Sequence, residues 1–149
     1  MFTSYLNRSR AQEAIQFLEV IKLRQEAYRA EFGQYCDVSA PHPMNGANPM
    51  SGTKSVVWAS GLPDPWRQLG ANPDGPVRFS YNTIAGIPGE NPPTSGTWIN
   101  NWNTWGIPTT DFWYIAEASG DLDDDGTPVL FGTASGMRNI WCSQAGGWE

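Results

Sequence analysis

The stretch that decides the fold is residues 2–35, FTSYLNRSRAQEAIQFLEVIKLRQEAYRAEFGQY. Its apolar residues recur at steps of three and four, the spacing of one face of an α-helix. They are Ala11, Ala14, Ile15, Leu18, Ile21, Tyr28 and Phe32. No proline interrupts the pattern, and Gly33 supplies the left-handed residue that ends many helices. The sequence therefore predicts one long N-terminal helix.

Two interpretations of the helix start remain open. Ser9 and Gln12 fit a capping box, which would begin the helix near residue 9. Phe2, Tyr5 and Leu6 instead extend an apolar edge upstream, and we expect the helix to run unbroken from residue 2.

Beyond Gly33 the sequence changes to turns and then to strands. Residues 37–65 are rich in turn formers, and only residues 54–59 resemble a short strand or helical turn. Four later runs have strand character: residues 77–84, 112–118, 128–133 and 139–143. One helix followed by three or four strands predicts an α+β fold, in which an antiparallel sheet packs on a long N-terminal α-helix.

The charge is divided unevenly along the 149 residues. Residues 1–36 contain five basic and four acidic groups, whereas the rest of the chain contains four basic and eleven acidic groups. An acidic region repels phosphate, so the sequence argues against nucleic-acid binding through residues 37–149. No run approaches the roughly 20 apolar residues that cross a bilayer.

Several segments resemble a known family. Residues 27–35, AYRAEFGQY, resemble the pattern Y-x-x-E-x-G-x-Y that closes the long helix of type IV pilins and pseudopilins. Residues 2–14 resemble the stretch that follows the membrane-spanning half of that helix. Residues 77–81 and 113–126 resemble the strands and the Asp-rich turn of the pilin head.

The resemblance implies a structural subunit that is not an enzyme and has no catalytic residues. Residues 1–35 would be the lower half of the stem helix, and residues 36–149 a globular head with a long loop at 85–110. Its partners would be other pilin-like subunits in a homo- or hetero-filament, and the inner membrane. The precursor would lie in the inner membrane, and the mature subunit in the periplasm or in an extracellular pilus.

The resemblance also implies sequence upstream of residue 2. We interpret the start at Met1 as artificial and expect the natural protein to continue upstream with a cleavage site and an apolar helix. The alternative function is a calcium-stabilised extracellular module that binds carbohydrate or mediates adhesion through its Trp-rich loop.

The segment Asp121-Leu-Asp123-Asp-Asp125-Gly126 has the spacing of a calcium loop. Three carboxylates at alternate positions, with the carbonyl of Thr127 as the next ligand, favour Ca²⁺ because all the ligands are oxygen atoms. The bidentate Glu of an EF-hand is missing, since Gly132 occupies its position. A solvated Asp-Gly turn between two strands explains the same residues equally well.

Two cysteines, Cys36 and Cys142, are open to two interpretations. In a cytosolic protein both would be thiols, and in an exported protein they would pair. Because the resemblance implies export, we expect a disulfide between the helix exit and the last strand.

The segment from residue 97 to residue 114 is unusually rich in Trp. Trp98, Trp102 and Trp105, with neighbouring Asn side chains, could form a surface that contacts glycans. The commoner outcome is that a long loop uses its indoles as a small core of its own.

The remaining candidates for catalysis are weak. His42 stands alone between two prolines, where a histidine is usually exposed, and no nucleophile motif accompanies it. Asp111 and Glu117 could form a pair of carboxylates, but such pairs are common in an acidic chain. We therefore expect no enzyme.

Overall fold

The computed structural model describes residues 2–45, 48–49, 54–122 and 126–143, with side chains from residue 8 onward. Two α-helices and six strands follow one another along these residues. They are α1 (Phe2–Phe32), β1 (Met44–Asn45), β2 (Asn48–Pro49), α2 (Asp64–Leu69), β3 (Ser80–Gly86), β4 (Trp113–Gly120), β5 (Val129–Ala134) and β6 (Trp141–Cys142). The predicted α+β class is confirmed.

Helix α1 has the predicted length and stop. It runs without a break from Phe2 to Phe32, so the longer of the two alternatives is correct. At 1.5 Å per residue these 31 residues span about 46 Å. Gly33 ends the helix with φ of 80°, and its N–H donates to the Arg29 carbonyl at 2.8 Å. A side chain at residue 33 would strain this left-handed conformation.

The four predicted strand runs form one antiparallel sheet in the order β3-β4-β5-β6. Each strand pairs with its neighbour in sequence, so the sheet is a meander. The first run was predicted to begin at residue 77, but β3 begins at Ser80. Val77 instead pairs with Val56 in an isolated bridge, because the chain between α2 and β3 first passes the 54–59 segment.

The sheet is covered on both faces. Tyr114, Ala116 and Ala118 of β4 point to the side of α1, where Ala116 and Ala118 join a core with Leu18 and Ile21. Residues 91–108, which we call the strap, cover the other face and place Ile99 and Trp102 against β4 and β5. All eight residues of β4 are buried as a result.

Two short elements were not predicted. Helix α2 begins at the end of the region predicted as turns and extends beyond it; it is closed by Gly70 with φ of 77°, and it buries Trp66 and Leu69. The two-residue strands β1 and β2 pair with each other. Six residues are less than two helical turns, and two residues are a single pleat, so neither shows a period in the sequence.

Candidate functional site

The inner face of α1 is held to the head by the half-buried glutamate Glu13. The Glu13 carboxylate accepts the N–H of Arg78 at 2.8 Å, the N–H of Phe79 at 3.3 Å and the hydroxyl of Tyr81 at 2.7 Å. Burial raises the pKa of Glu13, and these three hydrogen bonds oppose that effect. The contacts fix the position of the helix along the chain that enters β3.

A second polar clamp lies three turns later at Gln25, which is fully buried. Its amide nitrogen donates to the Cys36 carbonyl at 2.8 Å and to Thr83 Oγ1 at 3.0 Å, and its amide oxygen accepts the Cys36 N–H at 2.8 Å. Sequence reasoning missed this residue. The available signal was its position four residues after Ile21, within the apolar stripe.

Lys22 is a third clamp. Its Nζ donates to Thr133 Oγ1 at 3.1 Å and to the Met137 carbonyl, so it ties α1 to the connection between β5 and β6. Burial lowers the pKa of Lys22, and the acids Glu19 and Glu26 oppose that shift.

The outer face of α1 has an apolar residue with no cover. The Leu23 side chain is 70% exposed, and Ala27 and Ala30 are exposed as well. At 100° per residue these three positions fall on one side of the helix, opposite the buried positions Leu18 and Gln25. The last aromatic of the apolar stripe, Phe32, is also 58% exposed.

The helix exit contains the four residues of the pilin-like pattern. Tyr28 is half-buried, Glu31 is exposed, Gly33 ends the helix and Tyr35 is buried. The Tyr35 hydroxyl donates to Glu26 at 2.9 Å. The exit is therefore an ordered turn in which Tyr35 returns the chain to the head.

Arg29 ties this exit to the start of β4. Its guanidinium donates to both carboxylate oxygens of Asp111 at 3.0 and 3.1 Å, and it lies over the rings of Tyr35 and Phe112 at 5.1 and 5.7 Å. Hydrogen bonds from Arg29 and from the Phe112 N–H lower the pKa of Asp111. The pair is exposed to solvent, so its contribution to stability is small.

The three tryptophans predicted as a possible contact surface differ in their exposure. Trp102 is fully buried, which corrects that prediction for this residue, and Trp98 and Trp105 are half-buried. The Trp105 ring packs on Trp102 and on Trp141, with ring centroids 4.5 and 5.4 Å apart. The loop uses its indoles as a small core because β4 and β5 offer an apolar face beneath it.

Asp111 and Glu117 are not brought together. Asp111 is exposed beside Arg29, whereas Glu117 is 2% exposed beneath the strap and accepts the N–H groups of Trp98 at 3.3 Å and Ile99 at 3.0 Å. Six residues of extended chain separate the two acids, about 20 Å. Burial raises the pKa of Glu117 to about 7, against the effect of the two N–H donors.

Much of the predicted calcium loop lies outside the described residues, which include Asp121 and Thr127 but neither Asp123 nor Asp125. The Asp121 carboxylate accepts the Gly126 N–H at 2.7 Å, a contact typical of an Asp-led turn. Within the part of the chain that the structure describes, no group of three or more His, Cys, Asp or Glu residues could hold a metal ion. The calcium site stays a prediction.

The predicted disulfide is not formed in this structure, where Cys36 and Cys142 are both thiols. Cys36 lies just before the segment that is hydrogen-bonded to β3, at one edge of the sheet. Cys142 lies in β6, at the opposite edge. Three strand spacings separate β3 from β6, about 14 Å, which is more than a disulfide can bridge. Burial raises the pKa of the Cys36 thiol.

His42 is buried, contrary to the expectation of an exposed loop histidine. It is 6% exposed, its Nε2 lies 2.7 Å from the Trp58 carbonyl, and its ring packs edge-on against the Trp58 indole. The residue pairs with Tyr81 in an isolated bridge, so it belongs to the packing beside β3.

Comparison of the chain with models of protein families, with curated proteins and with solved structures gave no match. Among the helices within the described ranges, none contains a long enough apolar stretch to span a lipid bilayer.

Proposed function

We propose that the chain is the head and lower stem of a type IV pilin-like subunit, a structural protein that assembles into a filament and catalyses nothing. One observation carries the proposal. A single 31-residue N-terminal helix lies on a four-stranded antiparallel meander, and the side of the helix opposite its buried positions presents Leu23, which is 70% exposed.

The proposed mechanism is packing between copies. The inner face of α1 is anchored to the head by Glu13, Lys22 and Gln25, so the helix and the head move as one body. The outer face is left for helices of neighbouring subunits, and the small side chains of Ala27 and Ala30 allow a close approach. Burying Leu23 fully in each contact contributes roughly 1.5–3 kcal/mol.

The partners in this proposal are other pilin-like subunits and, through an upstream apolar segment, the inner membrane. The precursor would be held in that membrane, and the assembled subunit would lie in the periplasm or in an extracellular pilus. The negative balance of the head would face solvent and keep neighbouring filaments apart.

A structural role is supported by the surroundings of Glu13 and Glu117. The two acids lie on opposite sides of the sheet, and backbone N–H groups donate to the carboxyl oxygens of each. The oxygens of both acids are therefore occupied by groups of the protein itself.

The proposal is tested by two matched substitutions in the natural full-length protein, expressed in its own host. Leu23 and Val57 are both exposed apolar residues, 70% and 61%, but Leu23 lies on the helix and Val57 in a loop of the head. We expect Leu23→Asp to abolish filaments in sheared surface fractions while the head stays folded. Val57→Asp should assemble like the unmodified protein.

Filaments of Leu23→Asp at the unmodified level would contradict the role of the outer face. Failure of the unmodified protein to form filaments would contradict the proposed function itself.

A further inference from the structure

The Glu117 side chain attaches the strap to the sheet. Its two carboxyl oxygens accept the N–H groups of Trp98 and Ile99. The rest of the attachment is apolar and comes mainly from Ile99 and Trp102, which pack on the face of β4 and β5.

No opposite charge balances this carboxylate among the described residues around it. On its face of the sheet Glu117 is flanked by Asn82 on β3 and Gly132 on β5, and Trp98 and Ile99 cover it from the strap. None of these residues is ionisable. The titratable side chains Glu13 and Lys22 approach the sheet from the opposite face, with α1.

We propose that Glu117 makes the strap a proton-sensitive cover, which stays closed on the sheet while the carboxyl group is protonated and opens more often once it ionises. A buried carboxylate without a counter-charge is poorly solvated, and lifting residues 91–108 would admit water to it. Opening would also uncover the apolar face that includes Trp113 and Ile115.

The direction in which pH changes the opening of the strap follows from the number of protons that the closed and open states bind. Burial holds the pKa of Glu117 at about 7, above the ordinary value of 4.5 that applies once the strap is open. Between these two values the closed state binds a proton that the open state has lost, so raising the pH favours opening. The full difference corresponds to an opening equilibrium about 300-fold larger well above pH 7 than below pH 4.5.

Native-state hydrogen exchange of the Trp98 and Ile99 amides between pH 5 and pH 8.5 tests the proposal, after correction for the intrinsic exchange rate. We expect their protection to fall as the pH rises and to level off above 7. Protection should stay below that of the β3–β4 amides throughout, because the sheet remains intact when the strap opens. In Glu117→Gln, which has no titratable proton, the protection should be independent of pH.

Three results would overturn the proposal: pH-independent protection in the unmodified protein, a pH dependence that persists in Glu117→Gln, or strap and sheet amides that exchange together. If Glu117→Gln does not fold, the carboxyl carbon of Glu117 in the unmodified protein decides the matter. Titration of that carbon near pH 7 supports the proposal, and titration below pH 5 refutes it.

Discussion

At the scale of single residues, three polar side chains on the buried face of α1 set how the helix sits on the sheet. Glu13, Lys22 and Gln25 bind backbone groups of three different segments. Apolar contacts alone would let a helix slide or rotate, since they have no direction. Directed hydrogen bonds at three points along the helix fix its translation and its rotation.

Removal of Glu13 tests this arrangement. We expect Glu13→Ala to lower the free energy of unfolding by about 2–3 kcal/mol, because the N–H groups of Arg78 and Phe79 lose a charged acceptor in a poorly solvated position. Urea denaturation followed by circular dichroism measures the change. The control is Gln12→Ala at the exposed neighbouring position, which should stay within about 0.5 kcal/mol.

A loss for Glu13→Ala no larger than that of the control would mean that the carboxylate is not an anchor. The helix would then be held by its apolar stripe alone.

At the scale of elements, the strap and β5 approach each other so closely that a side chain at position 132 would press on the side chains of the strap. A Cβ atom built on Gly132 would lie 2.5 Å from Ile99 Cδ1 and 2.9 Å from Trp105 Cη2. The strap therefore rests on the backbone of β5, and the two layers cannot separate locally without uncovering Trp102.

This contact predicts how a methyl group added at position 132 changes the stability of the protein. Gly132→Ala should lower the free energy of unfolding by about 1–3 kcal/mol through overpacking. Gly75→Ala is the matched control, since a Cβ atom there meets nothing within 4 Å. Thermal unfolding of both variants measures the difference, and equal midpoints would show that the strap does not press on the backbone of β5.

The elements also show which parts of the fold can be predicted from the sequence. Helix α1 and strands β3, β4 and β5 were predicted because each is long enough to show its pattern or lies between turn signals. The six residues of α2 carry too little periodicity, and the interior position of His42 depends on Trp58, which is distant in sequence. Glu117 was noticed as an acid, but its burial depends on a strap whose path no local pattern encodes.

At the scale of the whole molecule, the order of the sheet separates the two cysteines. One edge of the meander holds the chain from the helix exit, and the other edge holds the last strand. The expectation of a disulfide rested on the implied export of the protein and took no account of this distance.

The thiol state is open to direct measurement. We expect the intact mass of the protein to be the same with and without reductant, and two thiols to react with a thiol reagent after unfolding. In the folded protein Cys36 should react far more slowly than after unfolding, because it is 3% exposed and burial raises its pKa. A mass lower by two hydrogens before reduction would show that the strand order β3-β4-β5-β6 is wrong at one of its edges.

In the proposed filament, one face of helix α1 packs on its own head, and the opposite face packs on other copies of the chain. The most direct test is a cryo-electron microscopy reconstruction of the surface filaments produced by cells that express the natural full-length gene. We predict that the α1 helices bundle along the axis, with Leu23 in contact between subunits and the heads on the outside. Filaments without this chain, or with α1 facing solvent, would contradict the proposed role of the helix.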